Sequence, residues 1–408
     1  MSSLGTETVG GYQISQLLAA GGMAEIYLAR KIGPGGFEKR VVLKRIAKKL
    51  LGDKEIEAMF LDEARVQALL DHPHVVQIHD MGVDKGSYWI AMEFVSGATL
   101  RWVIDNANAV GRPVPISHAL RVVGDVLNGL HYAHELSDHK GRPLGLIHRD
   151  ISPVNVLVSR AGCAKLCDFG VAKSRLQSVM TRVGIVKGKF RYMAPEQVNA
   201  APLDRRADIF AVGAVLWEIL AGRRLFDQQP EDAVVDAIRS GEYPSVREFR
   251  PEVPRAVDRV IKRALDPEPE RRFASARDFQ MATEELLRLL PESCNAAVLG
   301  EYLVAELEGT AGLEPPPKNN NLPDESGLLA ANFELLDPPL PDASAAEKRR
   351  AEPTRTPQPT REVSEIREAS AGMKLLAALL MAPALIFALP AEIVRGVAGL
   401  FSRDKQGA

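Results

Sequence analysis

The sequence predicts an α+β fold in one large domain, followed by segments of a different composition. Its 408 residues, 46% of them hydrophobic, suffice for a large two-lobed domain with additional segments. Apolar residues recur at helical spacing in MFLDEARVQALL, residues 59–70, whereas VVLK, residues 41–44, and WIAMEFVSG, residues 89–97, have the character of strands. From about residue 309 the chain becomes rich in proline and charge. We therefore expect the folded domain to lie before that point.

Two adjacent glycines stand in the first part of the chain, in LAAGGMAEI, residues 18–26. Missing Cβ atoms let backbone N–H groups approach a phosphate and let φ become positive. By itself, however, this segment is equally a plain hairpin turn. Its meaning depends on the motifs that follow it.

The most informative motif is HRDISPVN, residues 148–155, because Asp168-Phe169-Gly170 begins 13 residues after Asn155. Phosphoryl transfer from ATP needs a carboxylate that orients the attacking hydroxyl and accepts its proton, and oxygen ligands that hold Mg²⁺. Asp150 suits the first role, and Asn155 with Asp168 the second. Either short motif alone recurs by chance, but the two in this order and at this separation indicate this chemistry.

With its motifs in this order, the chain resembles the protein kinase family over about residues 12–290. GGMAE, HRDISPVN and KGKFRYMAPE are similar to the bacterial eukaryotic-like serine/threonine kinases in particular. The resemblance implies a two-lobed α+β fold, with a small strand-rich lobe and hinge at residues 12–95, a helical lobe at residues 96–290, and ATP between them. It also implies that Lys44 holds phosphates and that Glu63 positions Lys44.

The resemblance places the nucleotide against the glycine-containing loop, the strand before Lys44 and the hinge. Ala19 and Ala24 stand where the family has its first and third glycines, so we expect a stiffer loop. Met92 would bound the depth of the pocket, and the segment that follows it would offer backbone groups to adenine. The implied ATP-binding residues are Leu18, Ala19, Ala20, Gly21, Gly22, Met23, Ala24, Glu25, Ile26, Val42, Lys44, Met92, Glu93, Val95 and Leu157.

An activation segment of 29 residues runs from Asp168 to Glu196 in Ala-Pro-Glu. It resembles the segment on which protein kinases dock their peptide substrates. Small-molecule phosphotransferases generally lack such a segment. Arg272 in PERRF matches the arginine that pairs with the glutamate, and Asp208 matches the buried anchor of the catalytic loop. We expect the Arg272–Glu196 pair to be structural.

Two departures from the family pattern come as a pair. Ser152 stands where these kinases usually carry lysine, and Lys189 stands where they usually carry threonine. We expect Lys189 to supply positive charge to the transferring phosphoryl group near Asp150, and Ser152 to supply the hydroxyl. The alternative is a solvated Lys189 in a weakened enzyme. Tyr192, and the lack of the arginine in A-A-R or R-A-A patterns, favour serine or threonine substrates over tyrosine.

The expected function is ATP- and Mg²⁺-dependent phosphorylation of serine or threonine in proteins, including the activation segment itself, in bacterial signal transduction. Arg149 suggests control by phosphorylation, because a phosphate in this segment can pair with a cation; Ser174, Ser178 and Thr181 are the candidate sites. The alternative from another class is a nucleotide-binding pseudokinase that acts as a membrane-tethered scaffold. The altered glycine loop and Ser152 favour this alternative, and the intact catalytic motifs oppose it.

Charge and cysteine content exclude other classes of protein. The net charge of −2 lacks the basic excess of a nucleic-acid-binding chain. Cys163, Cys167 and Cys294 are too few and too scattered for a disulfide framework or a zinc site, which is typical of a reducing cytoplasm. Three histidines within residues 72–79 invite a metal interpretation, but no carboxylate or cysteine completes a set at ligand spacing. We expect these residues to pack.

The C-terminal part has three predicted segments. Residues 291–308 form a helical extension, and residues 309–371 a disordered linker with too little apolar surface to offset chain entropy. Residues 373–401 contain an uncharged run of 17 residues, 375–391, which as a helix would be about 25 Å long against a bilayer core of about 30 Å. We expect this segment to anchor a cytoplasmic kinase domain in the cytoplasmic membrane. The alternative is a soluble chain whose apolar helix packs on the kinase or pairs with a second copy.

Overall fold

The computed structural model describes residues 7–169, 189–226 and 231–309, with the backbone alone at residues 189, 190, 231 and 232. These residues form a strand-rich lobe followed by a helical lobe, so the expected two-lobed α+β architecture is confirmed. The expected linker and C-terminal apolar segment lie outside the described residues. Within residues 7–309, as far as they are described, no helix is both long and apolar enough to cross a membrane.

The first lobe is built on an antiparallel sheet. Its strands are β1 (Thr8–Val9), β2 (Tyr12–Ala20), β3 (Ala24–Ile32), β4 (Glu38–Ile46), β5 (Ile78–Asp84) and β6 (Ser87–Glu93). They lie in the order β1-β2-β3-β4-β6-β5, so β4 lies inside the sheet with β3 and β6 on either side. One α-helix, α1 (Lys54–Gln67), follows β4 in the chain.

Strand β4 shows how the sequence places a charged residue in the core. Successive side chains of a strand point to opposite faces of the sheet. Val42 and Ile46 lie in one apolar cluster, whereas Val41 and Leu43 lie in a second cluster on the other face. Lys44 lies between Val42 and Ile46 in this alternation and is only 4% exposed. The strand EKRVVLKRI therefore carries a cation at a position that alternation would give to a core residue.

Helix α1 packs on the same face as Lys44. Asp53 caps the helix, because its carboxylate accepts hydrogen bonds from the backbone N–H groups of Glu55 and Ile56, at 3.0 and 3.2 Å. The helix buries an apolar stripe in the cluster that contains Val42; its members are Ile56, Met59, Phe60 and Ala64. This packing sets the distance between α1 and β4.

The second lobe is mainly helical. Its α-helices are α2 (Leu100–Ala109), α3 (Ile116–His134), α4 (Pro195–Val198), α5 (Arg206–Ala221), α6 (Glu231–Ser240), α7 (Val246–Phe249), α8 (Arg255–Ala264), α9 (Ala276–Leu289) and α10 (Ala296–Gly309). Helix α5 is buried on every side from Ala207 to Leu220. A helix that is apolar all round belongs at the centre of a domain. Helix α5 is therefore the core on which the other elements of this lobe are arranged.

A small antiparallel sheet carries the catalytic segments. It consists of β7 (Gly97–Thr99), β8 (Val156–Ser159) and β9 (Ala164–Leu166), in that order. Gly97 leaves no room for a side chain, since a Cβ there would lie 2.0 Å from the Val158 carbonyl oxygen. Strands β8 and β9 form a hairpin, and the Cys167 N–H donates to the Asn155 carbonyl oxygen at 3.0 Å. The hairpin therefore brings the end of HRDISPVN next to Asp168.

Helix α10 packs on the second lobe. It buries one leucine per turn in the main core of that lobe, at Leu299, Leu303 and Leu307. Gly300 lies against the β8–β9 turn, where a Cβ would be 2.5 Å from the Arg160 carbonyl oxygen. Glu306 accepts a hydrogen bond from the Asn106 side chain of α2 at 2.7 Å. The helix expected at residues 291–308 is observed from Ala296 to Gly309 as part of this lobe.

Candidate active site

Lys44 joins the two lobes through two carboxylates. Its Nζ lies 2.5 Å from Glu63 Oε1 on α1 and 2.9 Å from Asp168 Oδ1, which follows β9. Burial by itself would lower the pKa of Lys44, but the charges of Asp168 and then Glu63 outweigh burial and raise that pKa above its ordinary value. Lys44 is therefore a permanent cation in the cleft.

Asp150 is held by the turn that follows it. The side-chain Nδ2 of Asn155 donates to the backbone oxygen of Asp150 at 2.7 Å and to its carboxylate Oδ2 at 3.0 Å. A 3₁₀ turn, Pro153–Asn155, places this amide, and its Asn155 N–H donates to the Ser152 carbonyl oxygen at 3.0 Å. The carboxylate and the amide predicted from HRDISPVN thus lie in direct contact.

Two non-glycine residues at the site have left-handed backbone conformations. The φ angles are +66° at Arg149 and +57° at Asp168. L-residues avoid this region, at a cost of about 1 to 2 kcal/mol per residue. Each strained residue is at or next to a carboxylate with an expected catalytic role, and the surrounding hydrogen bonds hold the strain in place.

Asp208, near the start of α5, anchors the catalytic loop. It is buried, and its two carboxylate oxygens accept the backbone N–H groups of His148 and Arg149, each at 2.8 Å. His134 Nε2 lies 2.8 Å from the same carboxylate. Burial would raise the pKa of Asp208, but these hydrogen bonds, that of His134 first, lower the pKa below its usual range. The anchoring geometry expected for Asp208 is therefore present.

An apolar cluster lines the first lobe beside Lys44. It contains seven of the residues that the sequence assigns to the ATP pocket, namely Leu18, Ala19, Ile26, Val42, Met92, Val95 and Leu157. Met23 packs against the same cluster. Cys167 also belongs to it, although the sequence analysis did not place Cys167 in the pocket. Apolar side chains of this kind are what a purine needs on either side of its ring.

The glycine-containing loop is a tight connection between β2 and β3. The Gly21 N–H donates to the Ala24 carbonyl oxygen at 2.8 Å, and Ala19 and Ala20 lie in β2, paired with Ile26 and Glu25. Neither Gly21 nor Gly22 has a positive φ. In this conformation the loop therefore does not use the positive φ angles that glycine allows and alanine disfavours.

The side chain of Glu25 is held by two residues of the sheet. Its carboxylate accepts hydrogen bonds from the Tyr27 hydroxyl at 2.7 Å and from Arg45 at 3.1 Å. Alternation along β3 puts Ile26 on the inner face and Glu25 with Tyr27 on the outer face. The Glu25 side chain therefore lies on the outer face of the sheet, and the assignment of Glu25 to the ATP site stays a prediction.

The hinge joins β6 to the second lobe. Met92 and Val95 are buried in the apolar cluster. The backbone N–H of Glu93 donates to the Gln77 carbonyl oxygen at 2.8 Å, and its carboxylate lies 2.7 Å from Lys165 Nζ. The contacts of Glu93 fix the hinge to β5 and β9.

The donor set at the lobe junction fits Mg²⁺. Both bonds of the Asn155 amide nitrogen go to Asp150, so the amide offers its oxygen as a ligand. Asp168 uses Oδ1 for Lys44 and has a second carboxylate oxygen. Amide and carboxylate oxygens are the hard ligands that Mg²⁺ prefers. Asn155 and Asp168 are thus the residues that would hold the ion.

The end of the activation segment is tied to the second lobe. Arg272 donates to both carboxylate oxygens of Glu196, at 2.7 and 2.9 Å, so the expected pair is formed. The candidate phosphorylation sites, Ser174, Ser178 and Thr181, lie outside the described residues, as does the side chain of Lys189. The contact expected between Lys189 and the catalytic loop therefore stays a prediction.

Two further contacts of this segment were missed by sequence reasoning. The Tyr192 hydroxyl donates to Glu218 Oε2 at 2.5 Å, and Glu218 is also bound by Arg101 of α2. The Gln197 side chain donates to the Arg149 carbonyl oxygen at 3.2 Å. These bonds connect the segment after residue 190 to the catalytic loop and to α5. A polar residue inside the apolar run of α5, such as Glu218, was the signal that could have indicated a buried contact.

A second group of polar side chains was not expected. Among the described residues, His74, Asp125 and Cys163 place one nitrogen, one oxygen and one sulfur atom within 4.8 Å of one another. In the sequence, no carboxylate or cysteine stands at ligand spacing from the histidines within residues 72–79. The fold brings Asp125 of α3 and Cys163 of the β8–β9 turn next to His74 from distant parts of the chain.

Comparison with known proteins decides the family. The model of the protein kinase domain matches residues 12–284. The chain belongs to the protein kinase family. This kinase is 40% identical over 321 residues to the tyrosine-protein kinase MasK of Myxococcus xanthus, a match that covers 79% of this chain and 49% of MasK. It is 32% identical over 277 residues to the serine/threonine-protein kinase PrkC of Bacillus subtilis, covering 68% of this chain and 40% of PrkC.

Solved structures agree with this assignment. The crystal structure of the PknI kinase domain from Mycobacterium tuberculosis is 30% identical, with a TM-score of 0.52, and the match covers 70% of this chain and 99% of that domain. The resemblance to bacterial eukaryotic-like serine/threonine kinases is therefore confirmed. This kinase spans about half the length, or less, of the curated relatives named above. Both of these relatives are named as protein kinases.

Proposed function

We propose that this protein transfers the terminal phosphoryl group of ATP to hydroxyl groups of proteins, with serine and threonine as the main acceptors, in bacterial signalling. The observation that carries the proposal is the position of Lys44 Nζ, 2.5 Å from Glu63 and 2.9 Å from Asp168. This arrangement links the first lobe to the segment that begins with Asp168. Phosphoryl transfer needs both contacts, because they hold the phosphate-binding lysine next to the residue that would bind Mg²⁺.

Each residue has a role that follows from its chemistry. Asp150, fixed by Asn155, orients the acceptor hydroxyl and takes its proton. Lys44 neutralises charge on the α- and β-phosphates, and Glu63 positions Lys44. Asn155 and Asp168 hold Mg²⁺, which when bound offsets the charge of the phosphates. The apolar cluster around Val42 receives the adenine.

We propose that Lys189 acts as the cation that the catalytic loop lacks at Ser152. Support comes from the sequence, in which Ser152 and Lys189 stand at each other's usual residue types. The backbone at Lys189 begins a 3₁₀ turn, Lys189–Tyr192, which ends two residues before Ala194. The ammonium group of Lys189 would stabilise the transferring phosphoryl group. Ser152 would supply the hydroxyl that a threonine supplies in related kinases.

The test is intact-mass and tandem mass spectrometry of the full-length protein after incubation with MgATP. We expect phosphate on serine or threonine, including at least one of Ser174, Ser178 and Thr181. The Asp150→Asn variant should be slower by about 100-fold or more. Lys189→Ala should also be phosphorylated more slowly than the wild type if Lys189 supplies the missing cation. Wild-type activity in Asp150→Asn would refute the proposed mechanism.

A second candidate function is tyrosine phosphorylation. It is favoured by the 40% identity to a relative named as a tyrosine-protein kinase. The same tandem mass spectra separate the two cases, because they assign each phosphate to a residue. Phosphotyrosine as the main product, in wild type and not in Asp150→Asn, would replace the serine/threonine assignment. The roles of Lys44, Asp150 and Asp168 would be unchanged.

We further propose that residues 373–401 anchor this kinase in the cytoplasmic membrane, with the kinase domain in the cytoplasm. The uncharged run at residues 375–391 supports this. In a bacterial host, the full chain should sediment with membranes and resist a high-salt wash, whereas a chain ending at residue 372 should not. A soluble full chain that elutes as a dimer would favour pairing with a second copy.

A further inference from the structure

Three side chains with metal-ligating atoms come together from three elements of the fold. His74 lies in the segment between α1 and β5, Asp125 in α3, and Cys163 in the turn between β8 and β9. His74 Nδ1 lies 3.3 Å from Cys163 Sγ and 3.7 Å from Asp125 Oδ2. Asp125 is buried, and the other two are largely enclosed. This group takes no part in the proposed phosphoryl transfer.

Two of the three distances within the cluster, both measured from His74 Nδ1, are close to those between ligands of one tetrahedral ion. Zinc lies at about 2.0 Å from nitrogen or oxygen and about 2.3 Å from sulfur, so two such ligands at the tetrahedral angle are about 3.3 to 3.6 Å apart. The two distances from His74 Nδ1, 3.3 and 3.7 Å, are close to this range. Imidazole, thiolate and carboxylate together form a set that suits Zn²⁺ better than Mg²⁺ or Ca²⁺.

The backbone holds the ligands in place. The Leu166 N–H donates to the His74 carbonyl oxygen at 2.9 Å, which fixes His74 against β9. Gly129 lies one turn after Asp125 on α3, and a Cβ there would be 2.8 Å from that same carbonyl oxygen. The missing side chain thus lets the His74 segment approach α3. The site is organised by the fold and does not depend on a metal to assemble it.

The neighbours of the ligands orient them as the outer partners of a metal site do. The Ala164 N–H donates to Asp125 Oδ2 at 3.0 Å, while Arg121 Nε lies 3.1 Å from Oδ1. These bonds fix the carboxylate with Oδ2 towards His74. The His74 Nδ1 donates to the Ala164 carbonyl oxygen at 2.9 Å, and metal binding would replace that proton. Such outer bonds set the orientation of metal ligands.

We propose that His74 Nδ1, Asp125 Oδ2 and Cys163 Sγ form a binding site for a zinc-class transition-metal ion, with a fourth position open to water. The ion would tie the segment after α1 to α3. Because α1 carries Glu63, occupancy would restrict the helix that positions Lys44.

Cobalt(II) is the probe that tests the ligand set, because cobalt–thiolate bonds absorb in the near ultraviolet and tetrahedral cobalt absorbs strongly in the visible. The full-length protein, treated with chelator and without Mg²⁺ or ATP, should bind one equivalent and show both absorptions. Cys163→Ser should lose the near-ultraviolet band, and Asp125→Asn should weaken binding at least tenfold. Zn²⁺ should displace the cobalt and its absorption.

Cys294→Ser is the matched control, because Cys294 is a second free cysteine of this lobe and, among the described residues, makes no contact with His74 that resembles that of Cys163. We expect this variant to keep the full cobalt spectrum. Absence of a thiolate band in the wild type, its survival in Cys163→Ser, or its loss in Cys294→Ser would each overturn the proposed ligands. Each variant is compared with the wild type by thermal unfolding without metal, which shows whether it is folded.

A measurement on the wild type alone keeps the test independent of folding defects. Zn²⁺ should slow alkylation of Cys163 by iodoacetamide at least tenfold, as followed by peptide mass spectrometry. Equal rates with and without Zn²⁺ would contradict the proposal. Neither experiment measures phosphorylation, so failure here is distinct from failure of the proposed kinase activity.

Discussion

Lys44 and Arg272 are both buried cations bound to carboxylates, yet their surroundings differ. Lys44 Nζ lies between two carboxylates, Glu63 on α1 and Asp168 after β9. Arg272 binds one carboxylate, Glu196, through two parallel hydrogen bonds. It also donates to the backbone oxygens of three residues, which are Asp266, Arg206 and Pro267.

The difference separates a structural cation, Arg272, from the one for which we propose a catalytic role, Lys44. A guanidinium has five N–H donors in a planar fork, and the five bonds of Arg272 use all of them. A fully bonded arginine has no donor left for a substrate. An ammonium group is instead a compact charge on a flexible stem, so Lys44 can turn from its carboxylates towards phosphates. The saturated hydrogen bonding of Arg272 therefore indicates a structural role, whereas the position of Lys44 between two carboxylates suits the binding of phosphates.

The largest expected effect breaks the Lys44 side of this comparison. Lys44→Arg keeps the charge but not the geometry, and a planar guanidinium does not fit the position between Glu63 and Asp168. We expect the initial rate of autophosphorylation to fall by about 10² to 10³-fold. Lys262→Arg, at an exposed lysine of α8, is the control and should keep the wild-type rate. A near-normal rate in Lys44→Arg would contradict the assigned role.

Arg272→Lys tests the structural side. A lysine cannot reproduce the fork, so Glu196 and several carbonyl oxygens would lose partners in a buried site. We expect the free energy of unfolding, measured with urea, to fall by about 3 kcal/mol. A variant that loses activity without losing stability would show that Arg272 is more than a structural residue.

The pH dependence of stability sharpens the comparison with a third buried group, Asp208. Its pKa is lower in the folded protein than its ordinary value of about 4, so ionised Asp208 stabilises the fold above that pH. The contribution is lost as the pH falls through the folded pKa. We expect the difference in unfolding free energy between wild type and Asp208→Asn to be largest near neutral pH and to shrink below about pH 4. A difference that grows on acidification would refute this sign.

The smallest effect is expected at Arg271, the neighbour of Arg272. Its ion pair with Glu268 spans 3.4 Å, and both side chains are more than half exposed. Exposed pairs contribute little, so Arg271→Lys should change the unfolding free energy by less than about 0.5 kcal/mol. Because it makes the same substitution one residue away, it is the matched control for Arg272→Lys. Equal losses in the two variants would mean that burial does not explain the role of Arg272.

Motif order predicted residues that lie together in the structure, because they belong to short segments with fixed spacing. HRDISPVN and the Asp168 motif flank a β8–β9 hairpin, so local strand pairing brings Asn155 and Asp168 together. The link from Lys44 to Glu63 came from the family resemblance, and the packing of α1 on β4 realises it. Motif matching does not indicate which face of β3 a side chain occupies, so the contacts of Glu25 with Tyr27 and Arg45 were not predicted.

The metal-ligand cluster could not be predicted in the same way. His74, Asp125 and Cys163 lie on three elements, separated by 51 and 38 residues in the chain. Spacing rules for metal sites detect ligands that are close in sequence, whereas these meet only because the His74 segment pairs with β9 and packs on α3. The place of Cys167 in the apolar cluster was not predicted for a related reason, since only the packed structure shows which side chains that cluster contains.

The sequence by itself determined the family and the two lobes, since both depend on local motifs, and it supplied the roles proposed for Lys44, Asp150 and Asp168. Only the tertiary structure decided which carboxylates surround Lys44 at bonding distance, how Asp208 anchors the catalytic loop, and that His74 meets Asp125 and Cys163. These contacts join elements far apart in the chain. Their geometry is set by how helices and sheets pack, and no local pattern of residues encodes it.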